Sequence, residues 1–350
     1  MAATDAEQAA MHRALALAET VRGRTSPNPA VGAVVLDMAG NLAGEGATAP
    51  AGGPHAEILA LRAAGDAARG GTAVVTLEPC AHTGRTGPCT DALLKAGITR
   101  VVYAVGDPSP EAGGGAERLR DAGVDVMHGV EAHAAETGAL RPWLHAMRTG
   151  RPYVTWKFAA TLDGRVAAAD YTSRWISSAA SRADAHRLRD VVDAVLVGSG
   201  TVLTDDPHLT VRHGDVIAEH QPLRVVLDRR HRVPDDAQVL DEAAETVVLD
   251  TAVPQFAMKA LYDQGVRHVL LEGGPTLAGA FVEARCVDEV VAYLAPTLLG
   301  AGPAALGDAG IGTLADGVML EVESVERLGG DIKVVARPKW AHWPEHTAGD

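Results

Sequence analysis

Three residues able to bind a soft divalent metal stand close together in the first third of the chain: His55, Cys80 and Cys89. One imidazole and two thiolates supply three of the four positions of a tetrahedral Zn²⁺ ion. The fourth position then suits a water molecule, whose pKa zinc lowers to about 7, so that hydroxide is available at neutral pH. Such chemistry also needs a carboxylate to move protons. Glu57, two residues after His55 at the start of a helical pattern, can face the metal without binding it. The order His55-Ala56-Glu57, Pro79-Cys80 and then Cys89 is the arrangement of zinc-dependent nucleobase deaminases. Each piece alone is commonplace, since free cysteines are often buried and a His-x-Glu often lies on a surface. It is their conjunction that predicts one zinc per chain. His82, between the cysteines, leaves open a fourth protein ligand and hence a purely structural zinc. His12, His128, His133 and His145 lack partner spacing and read as ordinary surface or core histidines.

The second half offers three further features. Glu272-Gly273-Gly274-Pro275-Thr276 joins a strand pattern to a helix pattern. Such a turn lets a phosphate approach free backbone N–H groups at a helix start, or is only a tight connection. Thr201 to Pro207 places polar residues after a Gly-Ser-Gly turn, which also reads as a capped loop. Arg189 and Arg212 are candidate anion ligands, or members of a solvated face.

These residues need a scaffold, and the patterning predicts two. The chain has 350 residues, 47% of them hydrophobic, enough for two cores. In the first half, helices are predicted over 7–22, 57–68, 90–96 and 118–122, and strands over 31–36, 73–77, 101–105 and 124–127. Met147 to Pro152 breaks the pattern. Strands follow over 153–159, 194–197, 224–228, 246–249, 268–272, 289–294 and 332–336, with helices over 179–190, 255–264 and 276–284. The predicted organisation is a domain over 1–148, a second over 152–338 and a tail over 339–350, both domains α/β.

Composition excludes several classes. A net charge of −14 repels a polyphosphate backbone, so nucleic acid is not expected as a partner. No apolar run is long enough to span a membrane. The first twenty residues read as an amphipathic helix and not as a signal peptide. Three cysteines, Cys80, Cys89 and Cys286, are poor material for a disulfide framework and fit a reducing, cytoplasmic setting. Cys286 reads as a packing residue in an apolar helical segment.

With these motifs in view, the chain resembles the bifunctional riboflavin-biosynthesis deaminase–reductases, RibD or RibG, over nearly its whole length. The resemblance rests on Pro27-Asn28-Pro29-Ala30-Val31-Gly32, Pro54-His55-Ala56-Glu57, Thr76-Leu77-Glu78-Pro79-Cys80, and His82-Thr83-Gly84-Arg85-Thr86 through Pro88-Cys89. It implies a cytidine-deaminase-like α/β/α domain followed by a dihydrofolate-reductase-like α/β domain opening at Lys157 to Arg165. It also implies a small-molecule substrate, the diaminopyrimidinone ribosylamine 5′-phosphate. This is deaminated with Zn²⁺ and then reduced with NADPH from a ribosyl to a ribityl chain. Carried onto this sequence, the family's deaminase contacts fall on Asn28 at the base and on His82, Arg85 and Asp107, with Glu57 catalytic. Ser109 and Gly87 depart from the family's usual Asn and Pro. In the reductase half, the resemblance implies cofactor contacts from Ala159, Trp175, Thr201, Asp205 and the run Gly274, Pro275, Thr276, Leu277, Ala278, Gly279 and Ala280. Substrate contacts fall on Ser173, Arg189, Leu209, Arg212 and Glu272, with Lys157 and Asp205 handling protons. Arg229 stands where relatives often have Ser, and either meets the adenosine phosphate or faces water. The family also implies a homo-oligomer, dimer or tetramer.

Two other readings compete. One is a deaminase whose second half only binds nucleotide, which Asp205 and the Gly-rich turn oppose. The other is a zinc-stabilised binding module, which Glu57 and the acidic charge oppose.

Overall fold

The computed structural model describes residues 2–82, 87–109 and 113–340. They fall into two compact units, 1–151 and 152–350.

In the first unit, helix α1 (Asp5–Glu19) begins at a capping box: the Thr4 hydroxyl accepts the Glu7 N–H, and the Glu7 carboxylate accepts the Thr4 N–H. That cap starts the helix earlier than the apolar pattern suggested. Ala10, Met11, Ala14 and Ala18 form its buried face, on strand β1 (Gly32–Leu36). A Cβ at Gly32 would lie 1.9 Å from the Ala14 carbonyl oxygen, so the contact is backbone on backbone. Strand β2 (Leu42–Ala47) follows, then α2 (Ala56–Ala64), β3 (Thr72–Leu77), α3 (Cys89–Ala96), β4 (Arg100–Val105), α4 (Gly115–Asp121), β5 (Asp125–His128), α5 (Ala132–Thr137) and α6 (Arg141–Thr149). The sheet order is β2-β1-β3-β4-β5, with β1 antiparallel to β2 and β3, and β3, β4 and β5 parallel. The loops leaving β3 and β4 and the loop entering β1 therefore meet at one end of the sheet. Three elements were not expected. Strand β2 is two-thirds glycine and alanine, with no hydrophobic alternation, and α5 and α6 are short.

The second unit runs β6 (Tyr153–Thr161), α7 (Ala179–Asp190), β7 (Ala194–Gly198), α8 (Ser199–Asp205), β8 (Arg212–His213), β9 (Val216–Ile217), β10 (Leu223–Leu227), β11 (Thr246–Leu249), α9 (Pro254–Asp263), β12 (His268–Leu271), α10 (Pro275–Glu283), β13 (Glu289–Ala295), β14 (Leu320–Leu328) and β15 (Asp331–Pro338). Its main sheet has the order β11-β10-β7-β12-β6-β13-β15-β14. The first six of these are parallel, and β15 and β14 continue antiparallel. The inner strands β7 and β12 are almost uninterrupted runs of buried aliphatic residues, as strands covered on both faces must be. The stretch after the Gly-Ser-Gly turn, read from sequence as a capped loop, is the short helix α8. The edge strand β14 was not expected because its nine residues are nearly all exposed and show no buried face. Cys286 is buried in the core but lies beyond the end of α10, so it is not helical. Trp340, in the expected tail, donates its indole N–H to the Val287 carbonyl at 3.0 Å. Residues 341–350 lie outside the described residues.

Candidate functional site

His55 is the N-cap of α2, an extended residue whose ring is free to turn away from the helix axis. Its Nδ1 lies 3.7 Å from Cys80 Sγ and 3.3 Å from Cys89 Sγ, and the Cys89 N–H donates to Cys80 Sγ at 3.4 Å. Cys80 follows β3 and Cys89 opens α3, so a strand end and two helix starts deliver the three donors. Their ligand atoms all lie within 4.8 Å of one another, and no other described residue joins the group. His82 is exposed and outside it, so the described donors are three and not four. Both thiols are free and buried. A converging imidazole and two thiols, none in a disulfide, fit Zn²⁺. Hydrogen bonding from Cys89, and then from His55, outweighs burial and holds Cys80 toward the thiolate. Glu57, in the first turn of α2, is only 5% exposed, and burial raises its carboxyl pKa.

The other expected deaminase residues sit on neighbouring loops. Asn28 lies in a turn closed by the Thr25 hydroxyl on the Asn28 carbonyl, and the Trp143 indole of α6 fastens that turn through the Pro27 carbonyl. Asp107 follows β4; burial raises its pKa, while Ser109 opposes the shift by donating its N–H and hydroxyl to one carboxylate oxygen. Ser109 therefore closes the Asp107 turn. Sequence reasoning passed over Glu78, whose carboxylate accepts the N–H groups of Asp107 and Ala116 and so ties the β4 loop to the Cys80 strand. Its place beside Pro79-Cys80 was the available signal. Arg85 lies outside the described residues.

The second unit contains a cavity of about 780 Å³ at the carboxyl ends of β6, β7, β10 and β12. Among the expected residues, Lys157, Ala159, Ser173, Thr201, Asp205 and Glu272 line it. So do Gly274, Pro275, Thr276, Leu277 and Ala280 at the start of α10. Ala278 and Gly279, expected beside a cofactor, instead point inward. Ala278 is fully buried in the core, and Gly279 packs on the Asp308 carbonyl. Their helical phase turns them from the cavity once α10 has begun at Pro275. Trp175 is 69% exposed, with the Arg182 guanidinium 4.5 Å from its ring centre, and is not part of the lining.

Glu272 is the electrostatic centre of this unit. Its carboxylate takes two hydrogen bonds from Arg189, at 2.6 and 3.1 Å, and lies 3.6 Å from Lys157 Nζ. Burial works to raise its pKa, but Arg189 and Lys157 prevail and hold it at about 2. Arg189 also donates to the Thr210 carbonyl, and the Arg212 N–H to His186 Nδ1. Arg189 thus ties Glu272 to the segment that carries Leu209 and Arg212, although none of these three lines the cavity itself. Beneath Lys157 is a network the sequence did not reveal. Lys157 Nζ stands 5.9 Å from the centre of the buried Tyr293 ring, whose hydroxyl donates to Asp184, and Asp184 pairs with Lys333 at 2.8 Å. These residues come from four separate elements, so no local motif records them.

Residues 152–334 match the family model of the RibD C-terminal domain, and residues 4–105 match that of the cytidine and deoxycytidylate deaminase zinc-binding region. The riboflavin biosynthesis protein RibD of Mycobacterium tuberculosis is 50% identical over 331 residues, covering 94% of this chain and 97% of that protein. The Escherichia coli RibD is 40% identical, with 92% and 96% covered. Among solved structures, a diaminohydroxyphosphoribosylaminopyrimidine deaminase/5-amino-6-(5-phosphoribosylamino)uracil reductase from Thermotoga maritima superposes with a TM-score of 0.88 at 33% identity, covering 95% of this chain and 99% of that one. Acinetobacter baumannii RibD gives 0.88 at 38% identity, covering 96% and 99%.

Proposed function

Because the chain belongs to the RibD family, we propose that its two sites divide a deamination and a reduction between them, with the residue roles given below. The protein is a bifunctional enzyme of riboflavin biosynthesis, a zinc-dependent pyrimidine deaminase joined to an NADPH-dependent reductase. The substrate is diaminohydroxyphosphoribosylaminopyrimidine, and its deaminated product, 5-amino-6-(5-phosphoribosylamino)uracil, is then reduced.

In deamination an exocyclic amino group is exchanged for oxygen: water is consumed and ammonia leaves. His55, Cys80 and Cys89 would hold the zinc, whose Lewis acidity would make water nucleophilic at neutral pH. Glu57 moves both protons that water loses, passing the first to the ring nitrogen and the second to the departing amine. Asn28 orients the base, and His82, Arg85 and Asp107 bind the remainder of the substrate. In reduction the ribose ring opens: the C1′–O4′ bond breaks, O4′ gains a proton, and C1′ is left doubly bonded to nitrogen. NADPH, when bound, would supply a hydride to that carbon, which with the proton on O4′ balances the reduction and leaves NADP⁺. Lys157 and Asp205 handle the protons, and Ser173, Leu209, Arg189 and Arg212 hold the substrate. Glu272 pairs with Lys157 and holds it in place. Ala159, Trp175, Thr201 and Gly274 to Leu277, with Ala280, contact the cofactor.

One observation carries this reading: a His/Cys/Cys donor set with a buried carboxylate two residues from its histidine. The test is turnover of the pyrimidine followed by ultraviolet absorbance. Without NADPH the zinc-loaded protein should stop at the deaminated product, and added NADPH should then be oxidised. Zinc-loaded protein that leaves the pyrimidine unchanged would overturn the deaminase assignment. On the reductase side, Asp205→Asn should act mainly on kcat and Arg212→Ala mainly on KM, by about 10- to 150-fold.

The finer setting is also a proposal. The three described cysteines are free, which suits the cytoplasm. Strand β14 is an exposed sheet edge carrying Leu320, Val322 and Val325, which supports assembly with further copies of this chain as a dimer or tetramer. Among the described residues no helix is long and apolar enough to cross a membrane.

A further inference from the structure

Arg212, a substrate ligand in the reading above, stands on a segment whose backbone is fastened by side chains on several sides. Arg224 donates to the His208 carbonyl at 3.2 Å, and Arg189 to the Thr210 carbonyl at 3.0 Å. Gln221 takes both polar groups of Val211. Its amide oxygen accepts the Val211 N–H at 2.7 Å, and its amide nitrogen donates to the Val211 carbonyl at 3.1 Å. The Arg212 N–H donates to His186 Nδ1 at 3.1 Å. Within this segment Leu209 is buried with φ of +54°, a left-handed conformation disfavoured for a residue that bears a side chain. Such a backbone persists only where its neighbours over-determine it. Thr210 and Val211 are buried too, so water cannot replace the side chains that satisfy them.

His186 belongs to this set and has no role in the reading above. It is half-buried on α7, one turn before Arg189. An N–H aimed at Nδ1 needs a lone pair there, so the ring is neutral with its proton on Nε2. The surroundings favour that form: burial first, then Arg189, with a contribution from Arg212, outweigh Glu272 and hold the ring below its ordinary pKa of 6.5. Arg212 Nε donates in turn to the Thr210 hydroxyl at 3.2 Å, so the base of its side chain is aimed as well as its backbone. The guanidinium pairs with no carboxylate among the described residues and is left to meet an anion. We propose that His186 is a positioning residue for the reduction: through the Nδ1 lone pair it fixes the Arg212 backbone and so presents the guanidinium to substrate. The assignment rests on the reading of Arg212 as a substrate ligand and adds to it the residue that preorganises it.

Steady-state NADPH oxidation by the full zinc-loaded chain tests it, with 5-amino-6-(5-phosphoribosylamino)uracil supplied directly. Two variants separate hydrogen bonding from packing. His186→Phe keeps a ring and loses the acceptor, whereas His186→Asn loses the ring and keeps an acceptor oxygen near the place of Nδ1. His186→Phe should raise KM for the uracil about tenfold while kcat changes less than about twofold, and His186→Asn should stay within about threefold of the wild-type KM. In an Arg212→Ala background His186→Phe should raise KM no further, because the two residues act as a unit. Melting temperature and deaminase turnover confirm that each variant is folded. An unchanged KM in His186→Phe overturns the proposal. So does the reverse pattern, His186→Asn impaired and His186→Phe normal, which would make the ring a packing element alone. Additive effects of His186→Phe and Arg212→Ala would put His186 on the substrate itself and overturn the positioning role. In those three cases a raised KM in Arg212→Ala leaves the substrate reading of Arg212 standing. An unchanged KM in Arg212→Ala removes that reading and the positioning role together.

Discussion

Two buried glutamates illustrate how burial acts on single side chains. For Glu57 burial outweighs the opposing hydrogen bonds and His55, so its pKa is raised and it is suited to carry protons. Glu272 is buried too, but Arg189 and Lys157 keep it ionised, which suits it to carry charge. Glu57→Gln keeps the shape and removes the proton. Zinc content should be unchanged and deamination should fall by at least about 10²–10⁴-fold. Near-normal turnover would remove Glu57 from the mechanism, and lost zinc would make it a ligand. For Glu272 the folded pKa, about 2, lies below the ordinary glutamate value of 4.5. Its contribution to stability is therefore complete above pH 4.5 and is lost as pH falls through 2. Across that window the slope is about 1.4 kcal/mol per pH unit. Urea unfolding of the second unit should show this slope in the wild-type protein. Glu272→Gln should lack it, and should be less stable at neutral pH because Arg189 is left buried without its counter-ion. Parallel pH profiles for the two proteins would contradict the pairing.

Secondary-structure elements place these side chains by close approach, and small residues make that approach possible. Helix α4 begins at Gly115, where a Cβ would lie 1.7 Å from the carbonyl oxygen of Pro79, the residue before the ligand Cys80. Any side chain there must displace either α4 or the metal-binding turn. Gly115→Ala should consequently weaken zinc binding, read by competition with a chelator, although residue 115 touches no ligand. Full retention of zinc affinity would show that α4 yields instead. The carbonyls and carboxylate gathered by Arg224 play the corresponding part in the second unit. That side chain is fully buried and binds the His208 carbonyl together with the carboxylate and carbonyl of Asp241, pinning the segments that flank Arg212 and β10.

For the whole molecule, the chain divides at residue 151, after the Gly150 cap that ends α6. Each unit has its own sheet and its own hydrophobic cluster. We therefore propose that residues 1–151 fold alone and bind about one zinc, measured by metal analysis of the purified fragment. Insoluble, metal-free material would mean that the first unit depends on the second. In the full chain, Cys80→Ser should abolish zinc binding and leave NADPH binding intact, since the substitution lies in the other unit's core. The metal donors and Glu57 were legible in the sequence because they sit in short segments whose spacing reflects helix and strand starts. The alternation of buried strands was legible for the same reason: hydrophobic period is a local property. Strand β2, edge strand β14 and helix α8 were not, because small, exposed or polar residues carry no period. Nor were the Lys157–Tyr293–Asp184–Lys333 network, the Glu78 tie and the gathering of Arg229, Arg230 and Arg232 at one cavity. Those depend on which strands lie side by side, and strand order is settled by packing between residues far apart in the chain.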